Sequence, residues 1–259
     1  MSPARKKLNL NADLGESYGA WRMGDDASLL PLVQSANLAC GFHAGDPVTM
    51  KKTVAAALAA GVSLGAHPSY PDLQGFGRRA MRCSADEVAA YVLYQIGALD
   101  GFARAKGARV SHVKPHGALS NDACRDAALA GTIARAIKAY DERLILLAPA
   151  LSLLAEAGAA AGLAVAAEIF ADRAYEDDAT LTSRKNSGAV LHDEAQCLAH
   201  VGAMLAAGGI VSRHGKILPT KIHSICVHGD GPAAVATARA LSEKLAAEFI
   251  LTPIPAMFA

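Results

Sequence analysis

The sequence has almost no net charge, few aromatic residues and no closely spaced pair of cysteines. Its formal charge of +1 comes without a basic stripe, which argues against binding to nucleic acid or a membrane surface. The five cysteines are scattered and form no Cys-x-x-Cys, so we expect neither a disulfide framework nor a structural zinc site. This cysteine usage favours a reducing, cytoplasmic setting. No apolar segment follows the basic N-terminus, so we expect no signal peptide.

One apolar run, residues 144–167, is long enough to raise the question of a membrane span. It contains Pro149, Glu156 and two glycines, and this pattern favours a buried strand, helix and strand instead. Hydrophobic residues make up 52% of the 259, enough for a large core. No linker or repeat divides the chain, so we expect a single domain over residues 1–259.

Short strand-like segments alternate with helical ones along the chain. We predict strands at 8–14, 36–43, 63–67, 110–115, 144–148, 164–170 and 224–228. We predict helices at 48–60, 122–140, 151–161, 193–207 and 233–248, another opened by a capping box at Ser84, and a short hairpin within 210–221. Strands separated by helices are typical of parallel βα units.

Most of these strands are apolar on one face only. In residues 8–14 the leucines face one way, while Asn9, Asn11 and Asp13 face the other. Central strands of an open parallel sheet are apolar on both faces. The pattern therefore predicts an α/β fold, a (β/α) barrel of about seven parallel strands with polar side chains turned inward.

Ionisable side chains cluster at the C-terminal ends of the predicted strands, where barrels of this type place their active sites. They are Asp13, His43, His67, His116, Glu168, Asp172, His228 and Asp230. Four histidines at four strand ends, with acids beside them, indicate a functional site rather than packing alone. His112 lies deeper in its strand, and we expect it to be structural.

Several kinds of chemistry suit these groups. Asp13 and Glu16 are paired carboxylates, fit for general acid/base work or cation binding. The histidines could orient water, carry protons or bind a divalent metal. Lys114 could stabilise an oxyanion or a phosphate, or simply pair with an inward acid.

Residues that could hold an anion follow the third predicted strand. Arg78 and Arg79 come after a glycine-rich loop and could clamp a carboxylate or a phosphate. Asp46 could belong to the site, or it could equally well be only the cap of the following helix. Phosphate-binding motifs are weak, because Gly215-Lys216 lacks the other residues of a P-loop and no Gly-x-Ser-x-Gly is present.

These motifs, in this order, resemble those of the LamB/YcsF family. The matching stretches are Asn9-Leu-Asn-Ala-Asp-Leu-Gly-Glu16, Asn37-Leu-Ala-Cys-Gly-Phe-His-Ala-Gly-Asp46, Gly65-Ala-His-Pro-Ser-Tyr-Pro-Asp72, Gly75-Phe-Gly-Arg-Arg79, Val113-Lys-Pro-His-Gly-Ala-Leu119, Glu168-Ile-Phe-Ala-Asp-Arg173 and Val227-His-Gly-Asp230. They span nearly the whole chain. One departure is Ser120, where the family pattern leads us to expect Tyr.

The resemblance implies a barrel of the glycoside hydrolase/deacetylase type. It also implies ATP-dependent cleavage of 5-oxoproline (pyroglutamate) to L-glutamate by a 5-oxoprolinase of three subunits, with this chain as the A subunit beside subunits B and C. ATP would be a co-substrate, and the resemblance does not settle which subunit binds it. An oligomer of this chain is left open.

The resemblance and the strand-end pattern together give the predicted site. The catalytic set is Asp13, Glu16, His43, His67, Lys114 and His116, and the substrate-binding set is Asn11, Asn37, Asp46, Asp72, Arg78, Arg79, Glu168, Asp172, Arg173, His228 and Asp230. The metal is unknown, with Asp13, His43 and His67 as candidate ligands. Two other functions stay open: a stand-alone metal-dependent amide or ester hydrolase, and a non-catalytic substrate-binding subunit.

Overall fold

Seven parallel strands close into a barrel at the centre of the protein. The computed structural model describes residues 5–228 and 234–259. In chain order its elements are β1 (Lys7–Leu14), α1 (Asp26–Leu29), β2 (Ser35–Ala39), α2 (Pro47–Ala59), β3 (Ser63–His67), α3 (Ala85–Arg104), β4 (His112–Val113), α4 (Gly117–Ala123), α5 (Ala127–Tyr140), β5 (Ile145–Pro149), α6 (Leu153–Ala160), β6 (Val165–Phe170), α7 (Glu194–Ala207), β7 (Gly209–Val211), β8 (Ile217–Pro219), β9 (Ser224–His228), α8 (Ala234–Glu248) and β10 (Ile250–Leu251). Short 3₁₀ helices lie at Leu30–Leu32 and Ile254–Met257.

The order of the strands confirms the predicted barrel. They run β1-β2-β3-β4-β5-β6-β9, and β9 pairs with β1 to close the ring. Every pairing in the ring is parallel. Strand β10 adds to the N-terminal end of β1, and β7 pairs with β8 in the predicted hairpin.

The alternation in β1 sorts its side chains between two environments. Leu8, Leu10, Ala12 and Leu14 are at most 1% exposed and belong to the core between the barrel and its helices. Asn9 faces the other way, where it donates to Ser35 Oγ at 2.9 Å and accepts from Ser224 Oγ at 2.5 Å. Polar side chains therefore fill the barrel interior by bonding to one another across neighbouring strands.

A glycine in β3 makes room for a buried imidazole. Gly65 is paired with His112 of β4, and a Cβ on Gly65 would overlap the His112 ring. Both nitrogens of that ring have hydrogen-bond partners, Ser111 Oγ at 2.9 Å and Asn37 Oδ1 at 3.1 Å. Burial lowers the pKa of His112 to about 3, so the ring is neutral.

Three predicted elements differ from the structure. The strand predicted at 110–115 is only the two-residue strand His112–Val113, so Lys114 directly follows it. Strand β2 ends at Ala39, so His43 lies in the following loop and not at the end of the strand. The helix predicted at 122–140 is two helices, because Asp126 accepts from the N–H groups of Ala128 and Leu129 and caps α5 as a separate element. Strand β10 and helix α1 were not predicted from the sequence.

Other boundaries follow ordinary capping rules. Asp46 caps α2, with Pro47 in its first turn, and Ser84 with Glu87 forms the capping box of α3. The apolar run forms β5, α6 and β6 as predicted. In residues 5–228 and 234–259, none of the helices combines the length and the hydropathy that crossing a bilayer requires.

Candidate functional site

A cavity of about 390 Å³ lies at the C-terminal end of the barrel. Asp13, Glu16, His67, Lys114 and His116 line it, as do Arg78, Arg173 and His228. A second cavity, of about 690 Å³, lies at the opposite end near His223, and none of the described residues that line it is Asp or Glu. The chemistry is therefore concentrated in the first cavity, where barrels of this kind carry their sites.

Lys114 contacts three buried side chains at the C-terminal end of the barrel. Its Nζ donates to Asp13 Oδ1 at 2.8 Å and to Cys226 Sγ at 2.9 Å, and lies 3.3 Å from Glu168 Oε1. Burial opposes its charge, but Asp13 and the other two partners outweigh burial, so the pKa of Lys114 lies well above its ordinary value. Lys114 is therefore a fixed ammonium on the cavity floor.

The two carboxylates beside Lys114 differ in their acidity. Burial would raise the pKa of Asp13, but His67 and Lys114 outweigh it and hold that pKa well below the usual value. Burial dominates at Glu168 and raises its pKa, despite the nearby Lys114. Asp13 is the anion of the pair, whereas Glu168 takes up a proton more easily.

Two asparagines fix the positions of these carboxylates. Asn37 donates to Asp13 Oδ1 at 2.8 Å and to Asn11 Oδ1 at 2.7 Å, and Asn11 donates to Glu168 Oε1 at 2.8 Å. Both amides are fully buried. A chain of amide hydrogen bonds thus joins the two acids below Lys114.

Three imidazoles form a cluster beside Asp13. His67 Nε2 lies 3.0 Å from His116 Nδ1 and 3.3 Å from Asp13 Oδ2. His43 stacks on His116 with ring centroids 3.8 Å apart, and its Nε2 lies 3.3 Å from Glu16 Oε1. Burial, reinforced by neighbouring imidazoles, holds the pKa values of His43 and His116 well below the ordinary value.

The glycine-rich loop after β3 packs onto this cluster. Phe76 has a φ of 54° and accepts a hydrogen bond from His116 Nε2 at 2.9 Å through its carbonyl. A Cβ on Gly77 would lie 2.8 Å from the His116 ring and 2.9 Å from His43 Cβ. Only a glycine lets the loop come this close, so Gly77 helps to fix both rings.

His228 and Asp172 form a second ion pair at the cavity edge. Both carboxylate oxygens of Asp172 lie 2.8 Å from His228 Nδ1. Burial would lower the pKa of His228, but Asp172 outweighs it and raises that pKa. The ring also stacks on Phe170, with centroids 5.4 Å apart.

The predicted anion-binding residues fall in different places. Arg78 and Arg173 line the cavity, and burial with nearby Arg184 lowers the pKa of Arg173 to about 10. Arg79 is instead exposed and bound to Asp72, with Nε 2.9 Å from Oδ1.

Two other predicted residues, Asp46 and Asp72, are engaged away from the cavity. Asp72 is held by Arg79, and Asp46 caps α2 and accepts from Gly19 N at 3.0 Å. Asp230 lies outside the described residues.

Two contacts at the site were not assigned a role from the sequence. Cys226 shares the inward face of β9 with His228, so alternation alone could have marked it as a neighbour of Lys114. The carbonyl of Phe76 carries no sequence signal, because its contact with His116 depends on the fold of a loop.

Among the residues that the structure describes, two groups of side chains have spacings that fit a metal ion. One is Glu16, His43, His67 and His116, and the other is Asp13, Cys226 and His228. In the second group the thiol accepts from the Lys114 ammonium, and burial raises the pKa of Cys226 well above its ordinary value. A protonated thiol next to a cation is a poor metal ligand, so the first group fits better.

Comparisons with known proteins agree with this architecture. The profile of the LamB/YcsF family matches residues 8–257. The A subunit of 5-oxoprolinase from Azoarcus sp. (strain BH72) is 65% identical over 242 residues, which are 93% of this chain and 94% of the relative. A crystal structure of a lactam utilization protein from Thermus thermophilus superposes with a TM-score of 0.88 at 43% identity, covering 95% of this chain and 99% of that one.

A more distant structure confirms the predicted fold type. The peptidoglycan deacetylase PdaC from Bacillus subtilis superposes with a TM-score of 0.52 at 11% identity, over 100% of this chain and 92% of that one. At this identity the likeness concerns the fold alone. The match over residues 8–257 and the 65% identity to a curated relative show that the chain belongs to the LamB/YcsF family.

Proposed function

We propose that this chain is the A subunit of an ATP-dependent 5-oxoprolinase and that its barrel opens the lactam ring. The observation that carries the proposal is the buried group of Asp13, Lys114 and His67 on the floor of the cavity. Support for the substrate comes from the relative named as a 5-oxoprolinase component and the structure named a lactam utilization protein. Buried charge is costly, so a network this dense is expected to serve chemistry.

An unstrained lactam resists water near neutral pH and needs activation. Transfer of the γ-phosphoryl group of ATP to the carbonyl oxygen gives an imidoyl phosphate and ADP. Water then adds to the ring carbon, and the C–N bond breaks as the nitrogen takes up a proton, which leaves γ-glutamyl phosphate. A second water releases phosphate and gives L-glutamate, so one ATP and two waters are used.

The side chains on the cavity floor suit these steps. Asp13 is ionised, and Asp13 or His67 accepts the proton of the attacking water. Lys114 is a fixed cation for the developing oxyanion, with His116 beside it. Arg78 is better placed than Arg79 to hold the substrate carboxylate, because Arg78 lines the cavity.

We assign the phosphoryl-transfer step to partner subunits B and C. This assignment is supported by the sequence, which contains no P-loop motif. In this arrangement the barrel receives the activated lactam and completes the hydrolysis. ATP is then a co-substrate of the assembly, and this chain contributes the water-activating groups.

The proposal is tested by measuring L-glutamate formation from 5-oxoproline and ATP, with and without the partner subunits. Asp13→Ala and His67→Ala should each lower the rate by about 10²–10⁴-fold, the usual contribution of a positioned acid or base. Asp25→Asn, which changes an exposed helix cap, is the control and should keep the wild-type rate. Near wild-type rates for both variants would remove these residues from the mechanism.

A second function, metal-dependent hydrolysis without ATP, is favoured by one observation. The imidazoles of His67 and His116 face each other beside Glu16, as metal ligands do. This reading requires amide or ester cleavage by the isolated chain in the absence of ATP. A purely substrate-binding role, in contrast, requires that the Asp13 and His67 variants change KM and leave turnover at saturation intact.

A further inference from the structure

Backbone carbonyls fix the tautomers of two imidazoles in the cluster. His67 Nδ1 lies 2.6 Å from the carbonyl oxygen of Lys114, and His116 Nε2 lies 2.9 Å from that of Phe76. A carbonyl oxygen only accepts, so each of these nitrogens must carry the proton. When each ring carries only this one proton, His67 Nε2 and His116 Nδ1 are left as lone pairs.

The two nitrogens that carry these lone pairs lie close together and near a carboxylate oxygen. The two nitrogens are 3.0 Å apart, and Glu16 Oε1 lies 3.7 Å from His116 Nδ1. Two imidazole lone pairs this close repel each other unless a proton or a metal ion lies between them. A positive charge is therefore favoured in the space between His67, His116 and Glu16.

The spacing suits a tetrahedral ion of the zinc class. Ligand atoms about 2.0–2.1 Å from such an ion lie about 3.3–3.4 Å from one another. The two distances at His116 Nδ1, 3.0 and 3.7 Å, lie on either side of this value. All candidate ligand atoms of the cluster lie within 4.8 Å of one another.

His43 does not fit as a ligand in the same way. Its ring is parallel to that of His116, with an interplanar angle of 4° and centroids 3.8 Å apart. An ion in the plane of one ring therefore lies out of the plane of the other. The Nδ1 of His43 also has no hydrogen-bond partner in the described residues, whereas ligating histidines donate their second N–H to a carbonyl or carboxylate.

We propose that His67 Nε2, His116 Nδ1 and Glu16 bind one divalent transition-metal ion, with zinc as the best match, and that His43 positions Glu16. Two imidazoles and one carboxylate form a donor set that zinc favours in catalytic sites, which keep a fourth position open. Imidazole donors argue against Mg²⁺ and Ca²⁺, which prefer oxygen. A bound ion of this kind would acidify a water molecule next to Asp13, so the inference deepens the proposed function and depends on it for this role. Because both nitrogens of His67 would then be engaged, Asp13 and not His67 would accept the proton of that water.

Metal binding itself can be measured without any activity. The full-length chain is stripped with a chelator, and zinc is titrated in by calorimetry; cobalt(II) is added to a second sample and its visible absorption recorded. We expect one ion per chain and the intense visible bands of four-coordinate cobalt. His67→Gln and His116→Gln should each weaken zinc binding more than the roughly 10–100-fold that loss of an outer-shell partner costs.

Two further variants test the role of His43 and provide a control at a distant histidine. His43→Gln should weaken zinc binding by only about 10–100-fold, because His43 acts through Glu16. His223→Gln changes a histidine at the opposite end of the barrel and should bind zinc as the wild type does. Circular dichroism of every variant shows whether it is folded, and the cobalt spectrum of the wild type stands even if a variant is not.

The alternative arrangement is metal-free. A second proton on His67 would let Nε2 donate to Asp13 Oδ2 and His116 Nδ1, with no ion bound. A wild-type chain that takes up far less than one zinc per chain, or variants that bind like the wild type, would overturn the proposal. The titration uses neither ATP nor partner subunits, so a failed 5-oxoproline assay and a failed metal site are distinguishable results.

Discussion

Replacing Lys114 by methionine should destabilise the protein in a pH-dependent way. Lys114 Nζ contacts Asp13 at 2.8 Å and Glu168 at 3.3 Å, and all three side chains are buried. Removing the cation leaves two carboxylates without their ammonium partner. Breaking a buried ion pair by deleting one partner typically costs about 3–5 kcal/mol, and we expect that loss at pH 8.

Protonation of Glu168 should relieve part of this loss at lower pH. Burial already raises the pKa of Glu168 in the wild type, and loss of the ammonium raises it further. Between the unfolded and folded pKa values, the folded variant then holds a proton that the unfolded chain does not, so its stability falls as pH rises. For each unit by which the pKa of Glu168 rises in the variant, the loss of stability at pH 8 is about 1.4 kcal/mol larger than the loss of stability near pH 5.

The assay is urea unfolding followed by circular dichroism at pH 5.5 and pH 8, for the wild type and for Lys114→Met. Lys138→Met is a matched control, since Lys138 is exposed and donates to the Ala161 carbonyl. The double variant Lys114→Met/Glu168→Gln should lose most of the extra pH dependence. An equal loss of stability at both pH values would refute the assignment of the titration to Glu168.

Two further predictions concern the barrel interior. In the metal-free protein, His43, His112 and His116 are neutral because their pKa values are lowered. The unfolded state therefore binds more protons than the folded state, and the free energy of unfolding falls as pH drops below about 6.5. Three such groups contribute up to about 4 kcal/mol of lost stability at pH 5.5, and the raised pKa of His228 partly offsets this loss. Denaturant titrations between pH 7.5 and 5.5 check this, and unchanged stability would contradict it. Gly65→Ala should cost about 1–3 kcal/mol because its Cβ meets the His112 ring, whereas Gly101→Ala, in open space on α3, should stabilise by about 0.5–1 kcal/mol. Thermal unfolding of the two variants should therefore shift in opposite directions; a shift in the same direction would be inconsistent with the packing at Gly65.

The barrel could be predicted because its signal is local. In β1, the alternation of leucines with Asn9, Asn11 and Asp13 states directly which face is apolar, and the structure buries those leucines against the helices. The same pattern placed Asp13 and Lys114 on the inner face, which is enough to predict that they share the end of the barrel. An alternation with a period of two residues can be recognised without knowing which residues distant in the sequence are in contact.

Helix and strand ends were predicted less well, because they depend on competition between neighbouring signals. The continuous helical pattern over 122–140 hid the cap at Asp126, where a side chain satisfies two N–H groups and starts a new helix. His43 was placed at the end of β2 by extending the alternation, but the strand ends at Ala39. His43 nevertheless lies against His116, because the loop returns it to the barrel end.

The contacts between individual site residues could not be predicted from the sequence, for a different reason. Whether His116 offers Nδ1 or Nε2 to its neighbours is decided by the carbonyl of Phe76, which is 40 residues away in the chain. That carbonyl is in place because the loop approaches closely at Gly77 and because Phe76 adopts a left-handed backbone conformation. The side of the His116 ring that faces His67 is therefore a product of loop geometry, and no pattern in the sequence could show it.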